Sequence, residues 1–204
     1  MAAWTSGGGA PSRAERVAPR TPQLVTDPLT LEAIFRLRAQ VWRETGDVSP
    51  SALRGGRWSD EHDSAAMHWV VRDDTGALLA AARLSVHARL ADVPEAEAYA
   101  AAGLDLEGPI GAPAHLVVAA PARGHGLFVQ LADTQNAASR AAGCTFLVCQ
   151  ASPAMRRLLP RRGWQEIAAA PADERFPGVG FVVMVLELAS APACSSTPSL
   201  RRVS

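Results

Sequence analysis

Residues 115–131, HLVVAAPARGHGLFVQL, gather the groups most able to do chemistry. Leu116, Val117 and Val118 form a short apolar run that reads as a buried strand. Pro121 interrupts it, Arg123-Gly124-His125-Gly126 follows, and an apolar periodic segment begins at Leu127 and Phe128. Strand, glycine loop and helix in that order aim backbone N–H groups at an anion, because the first helical turn has no intrahelical partners for them and the helix dipole favours negative charge there. Glycine lets the backbone approach a ligand and adopt positive φ, and Arg123 adds a charge suited to phosphate oxygens. The same pattern is also an ordinary α/β corner in which the glycines only turn the chain. His115, at the head of the strand, has an ordinary pKa of ~6.5 suited to removing a proton near neutrality; the alternative is a strand-edge histidine bonded to backbone. Asp60, Glu61, His62 and Asp63 cluster upstream. They suit either an acid–base or metal site, with Glu61 and Asp63 as further base candidates, or a solvated loop.

The elements that must position these groups follow from periodicity. Asp27-Pro28 and Thr30 are helix-start signals, Leu31, Ile34, Phe35, Leu37, Val41 and Trp42 make one apolar face, and Gly46 ends the helix. Residues 47–66 read as polar loop. His68–Asp73 and Ala77–His87 read as strands around the Asp74-Thr75-Gly76 turn. A short Ala-rich helix over 94–102 carries the chain's one tyrosine, Tyr99, and a loop over 103–113 leads into the central strand. The helix after the glycine loop runs to about Ala142. Cys144–Cys149 is a continuous apolar strand. Ser152 and Pro153 open a helix by cap and N1 proline, Pro160 shortens it, and Trp164–Ala168 and Val179–Leu188 are the last strands. Residues 1–26 and 190–204, rich in Gly, Pro, Ser and Arg, read as flexible tails around one domain over 27–189. The first of them is Arg-bearing and acid-poor, as a transit peptide would be.

Composition excludes several classes. The formal net charge of the 204 residues is +0, so no basic field argues for nucleic acid. The chain has no lysine, which rules out a Walker loop, and no third glycine follows Gly124-His125-Gly126 at dinucleotide-fingerprint spacing. Cys144, Cys149 and Cys194 make neither a metal spacing nor an even disulfide set, which suits a reduced, cytoplasmic setting. No apolar run approaches the ~18–20 residues that span a bilayer, and the N-terminus lacks the apolar core of a secretory signal.

The strand followed by Arg123-Gly124-His125-Gly126-Leu127-Phe128 resembles the acyl-CoA-binding motif of the GNAT acyltransferase superfamily, (Arg/Gln)-x-x-Gly-x-(Gly/Ala); Phe128 departs from it. The resemblance covers residues from about 28 to 189 and implies an α/β GNAT fold, a mixed central sheet of six to seven strands flanked by helices. It also implies a CoA-dependent N-acyltransferase that moves an acetyl or other short acyl group from acyl-CoA to the primary amine of a small molecule. No metal, nucleic acid or membrane partner is implied, and a homodimer is possible. The loop Arg123–Phe128, His125 included, would hold the CoA pyrophosphate, and Leu116–Val118 would offer backbone groups to the pantetheine arm. A backbone N–H near Val118 would polarise the thioester carbonyl. Trp42 and Arg43 become acceptor contacts. SPAMRRLLPRRGW is similar to a second family segment: Ser152 falls on its Asn, Gly163-Trp164 on its Gly-Phe, and Leu159 where many members carry the acid Tyr. RLRAQVWRETG, SDEHD and AARL, with Arg83-Leu84 and an Asp-x-x-Asp-like segment, also look like the acyl-homoserine-lactone-synthase branch, although that branch has Arg-Phe where His115-Leu116 stands. Absence of the Tyr leaves a third expectation, a degenerate GNAT domain serving as a CoA-binding or interaction module.

Overall fold

The structure, a computed structural model, describes residues 21–188 and the backbone of Arg201–Arg202. The first helix, α1 (Pro28–Thr45), starts where the Asp27 carboxylate accepts the Thr30 N–H at 2.7 Å and stops at Gly46, whose φ of 73° only glycine adopts readily. The strands are β1 (Gln23–Leu24), β2 (Met67–Arg72), β3 (Leu78–His87), β4 (Leu104–Asp105), β5 (Ile110–Val118), β6 (Phe146–Ala151), β7 (Gln165–Ala169), β8 (Val182–Glu187) and β9 (Arg201–Arg202). Three further helices are α2 (Ala96–Ala101), α3 (Leu127–Ala141) and α4 (Pro153–Leu158). Seven strands form one mixed sheet in the order β1-β2-β3-β5-β6-β8-β7, and β4 pairs with β9 outside it. All its pairings are antiparallel but one, the parallel β5–β6 pair at its centre.

Alternation along the strands sorts the helices onto two faces. Ile34, Phe35, Leu37 and Val41 of α1 pack on Val70, Ala81 and Val117. Leu127 and Leu131 of α3 pack on the opposite-facing Trp69, Val71, Ala80 and Leu84. Tyr99 of α2 lies with Ile110, Ala112, Phe146 and Val148 on the α1 face. Leu159 and Trp164, after α4, lie with Leu147, Ala151 and Met184 on the α3 face.

The expected loop over 103–113 is instead mostly strand. Gly108, Pro109, Gly111 and Pro113 carry turn signals, but β5 begins at Ile110 because Ile110, Gly111 and Ala112 pair with His87, Val86 and Ser85. Tertiary pairing overrides local propensity here. The apolar strand expected at Cys144–Cys149 starts two residues later, since the Cys144 N–H closes the end of α3 on the Ser139 carbonyl. The stretch 47–66 holds two 3-10 helices, Pro50–Gly56 and Glu61–Ala65. In the expected N-terminal tail, Gln23–Leu24 pairs with Val70 and Trp69; residues 1–20 lie outside the described residues. The expected C-terminal tail lies outside them too, except that Arg201–Arg202 pairs with Asp105 and Leu104. Among the described residues no helix is long and apolar enough to cross a membrane.

Gly111 shows why that segment looks unlike a strand. A Cβ there would stand 2.5 Å from Leu147 Cδ2 and 2.9 Å from Ser139 Oγ. Replacing it by valine overpacks the junction of β5, β6 and α3. Gly111→Val is expected to lower stability in urea unfolding by about 1–3 kcal/mol, and an unchanged midpoint would show that the neighbours yield freely.

Candidate active site

Strands β5 and β6 pair only at Ile110–Phe146 and Gly111–Leu147, then part. β6 goes on pairing with β8 as far as Ala151, and β5 with β3 as far as Val118, so the opening lies between the two. Pro113 has no N–H to offer a neighbouring strand. A cavity of about 610 Å3 occupies the opening. It is lined from the α3 face by Phe128, Gln135, Met155 and Leu159, and from the α1 face by Trp42, Trp58, Tyr99 and Phe176, so it crosses the sheet.

His115 sits at the edge of this passage. Ala81 faces Val117 and Arg83 faces Ala114, so His115 and Leu116 together oppose the single residue Ala82. Such a bulge re-aims a side chain. His115 has φ 49°, one of two non-glycine residues with positive φ among those described; the other is Glu95 at φ 61°. Both line the cavity. The Asp60 carboxylate contacts His115 Nε2 through Oδ2 at 3.0 Å and accepts Arg83 Nη1 on Oδ1 at 2.5 Å. Burial, reinforced by Arg38 and Arg83, pushes the His115 pKa down to about 4 against the pull of Asp60. Burial acts to raise the Asp60 carboxyl, but the His115 hydrogen bond and the Arg83 charge outweigh it and hold the group well below its ordinary range. An anionic Asp60 beside a neutral imidazole accepts the Nε2 proton, and the lone pair then sits on Nδ1.

Asp63 lies one layer deeper, 4 % exposed, and does not line the cavity. Its Oδ1 accepts Arg38 Nη1 at 2.8 Å and Arg83 Nη1 at 3.2 Å, and its Oδ2 accepts the Asp60 N–H at 2.8 Å. Its carbonyl contacts His68 Nε2 at 2.9 Å. With three hydrogen bonds accepted within the network, Asp63 positions Asp60, and Asp60 is the carboxylate of that segment that meets His115. Where a solvated loop was the alternative, the 3-10 turn Glu61–Ala65 is locked by a reciprocal Asp60–Asp63 cap. Among the described residues no three His, Cys, Asp or Glu side chains converge as metal ligands. Glu61 and His62 reach the cavity beside Asp60.

Of the anticipated CoA-binding residues, Leu116, Phe128 and Ser152 line the cavity. Ser152 stands at the N-cap of α4, yet its side chain makes no capping bond. Val117 and Leu127 turn their side chains into the core, leaving only backbone for a ligand. The Ala119 N–H bonds the Leu79 carbonyl on β3, so alternation turns the Val118 N–H and C=O toward the β6 side, where β6 has moved away. Arg123 Nε donates to that Val118 carbonyl at 3.2 Å, and its Nη2 reaches Glu44 at 3.4 Å. Gly124 and Gly126 have φ 82° and 78° with nothing within 4 Å of where a Cβ would stand. His125 between them is exposed. Gly126 precedes α3 with no side chain capping the helix, so no cap satisfies its first-turn N–H groups. That surface fits a phosphate. Trp42 lines the cavity, whereas Arg43 is exposed and stays outside it. Two residues that periodicity left unassigned arrive by tertiary folding: Tyr99, which enters from the face opposite Leu159, and Gln150, whose Nε2 donates to Glu95 Oε2 at 2.7 Å.

No protein-family model matches the chain, and no curated protein matches its sequence. The match is to solved structures. A putative N-acetyltransferase from Lactobacillus plantarum is 18% identical at TM-score 0.59, over 82% of this chain and 99% of the other. FeeM, an N-acyl amino acid synthase from uncultured soil microbes, is 12% identical at TM-score 0.59, over 82% and 90%. BjaI, a CoA-dependent acyl-homoserine lactone synthase solved with SAM and isopentyl-CoA, is 14% identical at TM-score 0.62, over 82% and 83%. The protein thus has the GNAT fold, with a mixed sheet of seven strands where the resemblance implied six to seven.

Two outcomes follow from the buried charges. Asp63→Ala strips Arg38, 0 % exposed, of its counter-ion, and is expected to cost about 3–5 kcal/mol in chemical unfolding. His115 binds its proton at about pH 4 folded and ~6.5 unfolded, so between those values the unfolded chain holds more protons and stability rises with pH. The contribution, roughly 3 kcal/mol, is fully present above pH ~6.5 and lost as the pH falls to about 4. His115→Gln should flatten that limb of the stability–pH curve by this amount; a mutant curve parallel to wild type would place His115 in an ordinary, hydrated state.

Proposed function

We propose that the protein is an N-acyltransferase that moves a short acyl group from acyl-CoA to the primary amine of a small molecule. The observation that carries this reading is the cavity that crosses the sheet where β5 and β6 part, with the His115–Asp60 pair at its edge and the uncapped start of α3 on the other face. Two substrates can then meet inside the sheet, each arriving from its own side. On the α3 side, the glycine loop and helix N-terminus suit a pyrophosphate, and Leu116, Phe128 and Met155 offer an apolar slot.

The amine nitrogen attacks the thioester carbonyl carbon, so a C–N bond forms and the C–S bond breaks. The Val118 N–H, turned to the β6 side, is the donor available to the developing oxyanion. The proton shed by the amine goes to His115 Nδ1 while Asp60 stabilises the resulting imidazolium. The leaving thiolate takes its proton from water, since Leu159 has none to give. A His115 with its pKa near 4 stays in the base form across the neutral range. Such a weak base works by being correctly placed and always deprotonated.

A second reading, an acyltransferase of the acyl-homoserine-lactone-synthase kind, is favoured by one observation. Three of the five segments similar to that branch, RLRAQVW, SDEHD and AARL but not HWVVRDD or SPAMRRLLPRRGW, meet in the network Arg38–Asp63–Arg83–Asp60. BjaI, solved with SAM, makes SAM the acceptor that separates the two readings.

Acetyl-CoA and longer acyl-CoAs at a hundredfold over Kd should stabilise the protein by about 2.7 kcal/mol, a Tm rise of roughly 5–10 °C. Gly126→Val should abolish this shift. CoA release in the presence of primary amines, followed by chromatography, should fall by about 10²–10⁴ in kcat for His115→Gln with the thermal shift retained. No shift and no CoA release with any acyl-CoA would overturn the acyltransferase reading in favour of an interaction module.

A further inference from the structure

On the α1 face the cavity ends against a wall with a marked charge imbalance. Glu95, Glu97 and Asp173 line it, opposed by the single guanidinium of Arg175. Arg175 shows how this wall holds a cation. Its Nε contacts both Asp173 oxygens, at 2.9 and 3.0 Å, its Nη2 pairs with Glu95, and its Cζ stands 5.9 Å over the Phe176 ring. Asp173 is thereby satisfied, and Glu95 has given its other oxygen to Gln150. Glu97 has no ion-pair partner among the described residues.

A second observation points into the same space. Tyr99, one helical turn beyond Glu95 on α2, is 4 % exposed and lines the cavity, yet its hydroxyl makes no hydrogen bond to any described residue. The hydroxyl oxygen is not sealed off but opens onto the cavity, so its hydrogen-bond partner is whatever occupies that space. An occupant that donates to this oxygen supplies the missing bond. Net negative charge, aromatic faces and an acceptor oxygen together describe a site for an ammonium or guanidinium.

We propose that the acceptor carries a second cationic group, held by Tyr99, Glu97 and the acidic wall, while its nucleophilic amine meets His115. The substrate class is then α,ω-diamines and aminoalkylguanidines, as opposed to simple monoamines. This rests on the acyltransferase reading for which end of the molecule reacts, but the site itself binds without acyl-CoA. Trp42, whose Nε1 is buried without a partner, and Trp58 line the same cavity.

The test is calorimetric binding of 1,4-diaminobutane, butylamine and 4-aminobutanoate, three chains alike in length whose far ends are cationic, apolar and anionic. The diamine should bind at least about tenfold more tightly than butylamine, with 4-aminobutanoate weakest, and added salt should shrink the gap. Glu97→Gln, an exposed position that folding does not depend on, and Tyr99→Phe should each remove most of the diamine's advantage and leave butylamine and acetyl-CoA binding unchanged. Equal affinities for the three, or an advantage insensitive to both variants, would overturn the proposal. CoA release measured alongside keeps the two ideas apart. Acylation of butylamine as fast as of the diamine leaves the acyltransferase standing without this acceptor class, and diamine binding without any CoA release leaves the cation site standing without the reaction.

Discussion

The separation of β5 from β6 is the constraint on which the rest of the structure depends. A parallel pair in the middle of a sheet normally continues its ladder, since each unpaired backbone group costs what a lost hydrogen bond costs. Here pairing stops after Gly111 and Leu147. Each strand is held on its other side, β5 by β3 and β6 by β8, so the opening does not unravel the sheet. The strand edges that no longer pair, 112–116 of β5 and 148–151 of β6, line the passage. Gly111 lets the last shared rung pack against Leu147 and Ser139, and the bulge at His115–Leu116 turns the imidazole toward the gap.

A second layer of charge keeps that imidazole in place. Arg38 of α1, Asp63 and Asp60 of the 3-10 turn, and Arg83 of β3 form one chain of ion pairs ending on His115. Three buried charges and the partly exposed Asp60 are an expensive way to join three elements, because burial strips their hydration, and a well-packed apolar cluster would serve stability as well. What such a cluster would not supply is an anionic oxygen fixed 3.0 Å from His115 Nε2, which sets the tautomer and leaves the lone pair on Nδ1. The network thus sacrifices some stability for orientation. The two strained non-glycine backbones, His115 and Glu95, face the same cavity, as expected where a site over-determines its backbone.

Much of this was legible in the sequence. Asp27-Pro28 and Gly46 bound α1, Asp-Thr-Gly marks the β2–β3 turn, and the strand, glycine loop and helix around Arg123–Gly126 fix the start of α3, because capping residues, glycine turns and apolar periods are local rules read a few residues at a time. What was not legible is long-range. Residues 110–113 look like loop because they carry Gly111 and Pro113 and their strand character comes from β3, more than twenty residues earlier. Asp60 and Asp63 look equivalent, and only the packing of Arg38 against one and His115 against the other divides their roles.

The sequence by itself determined the elements, their order and the glycine loop, since each is written in local backbone preference and in an apolar period that needs one buried face. Tertiary structure alone decided which groups share the cavity. Tyr99, Glu95, Asp60, His115 and Gln150 lie on α2, its N-cap, a 3-10 turn and two different strands. Their meeting depends on where β5 and β6 separate and on which side of the sheet each helix lands, and pairing and packing between distant segments settle both.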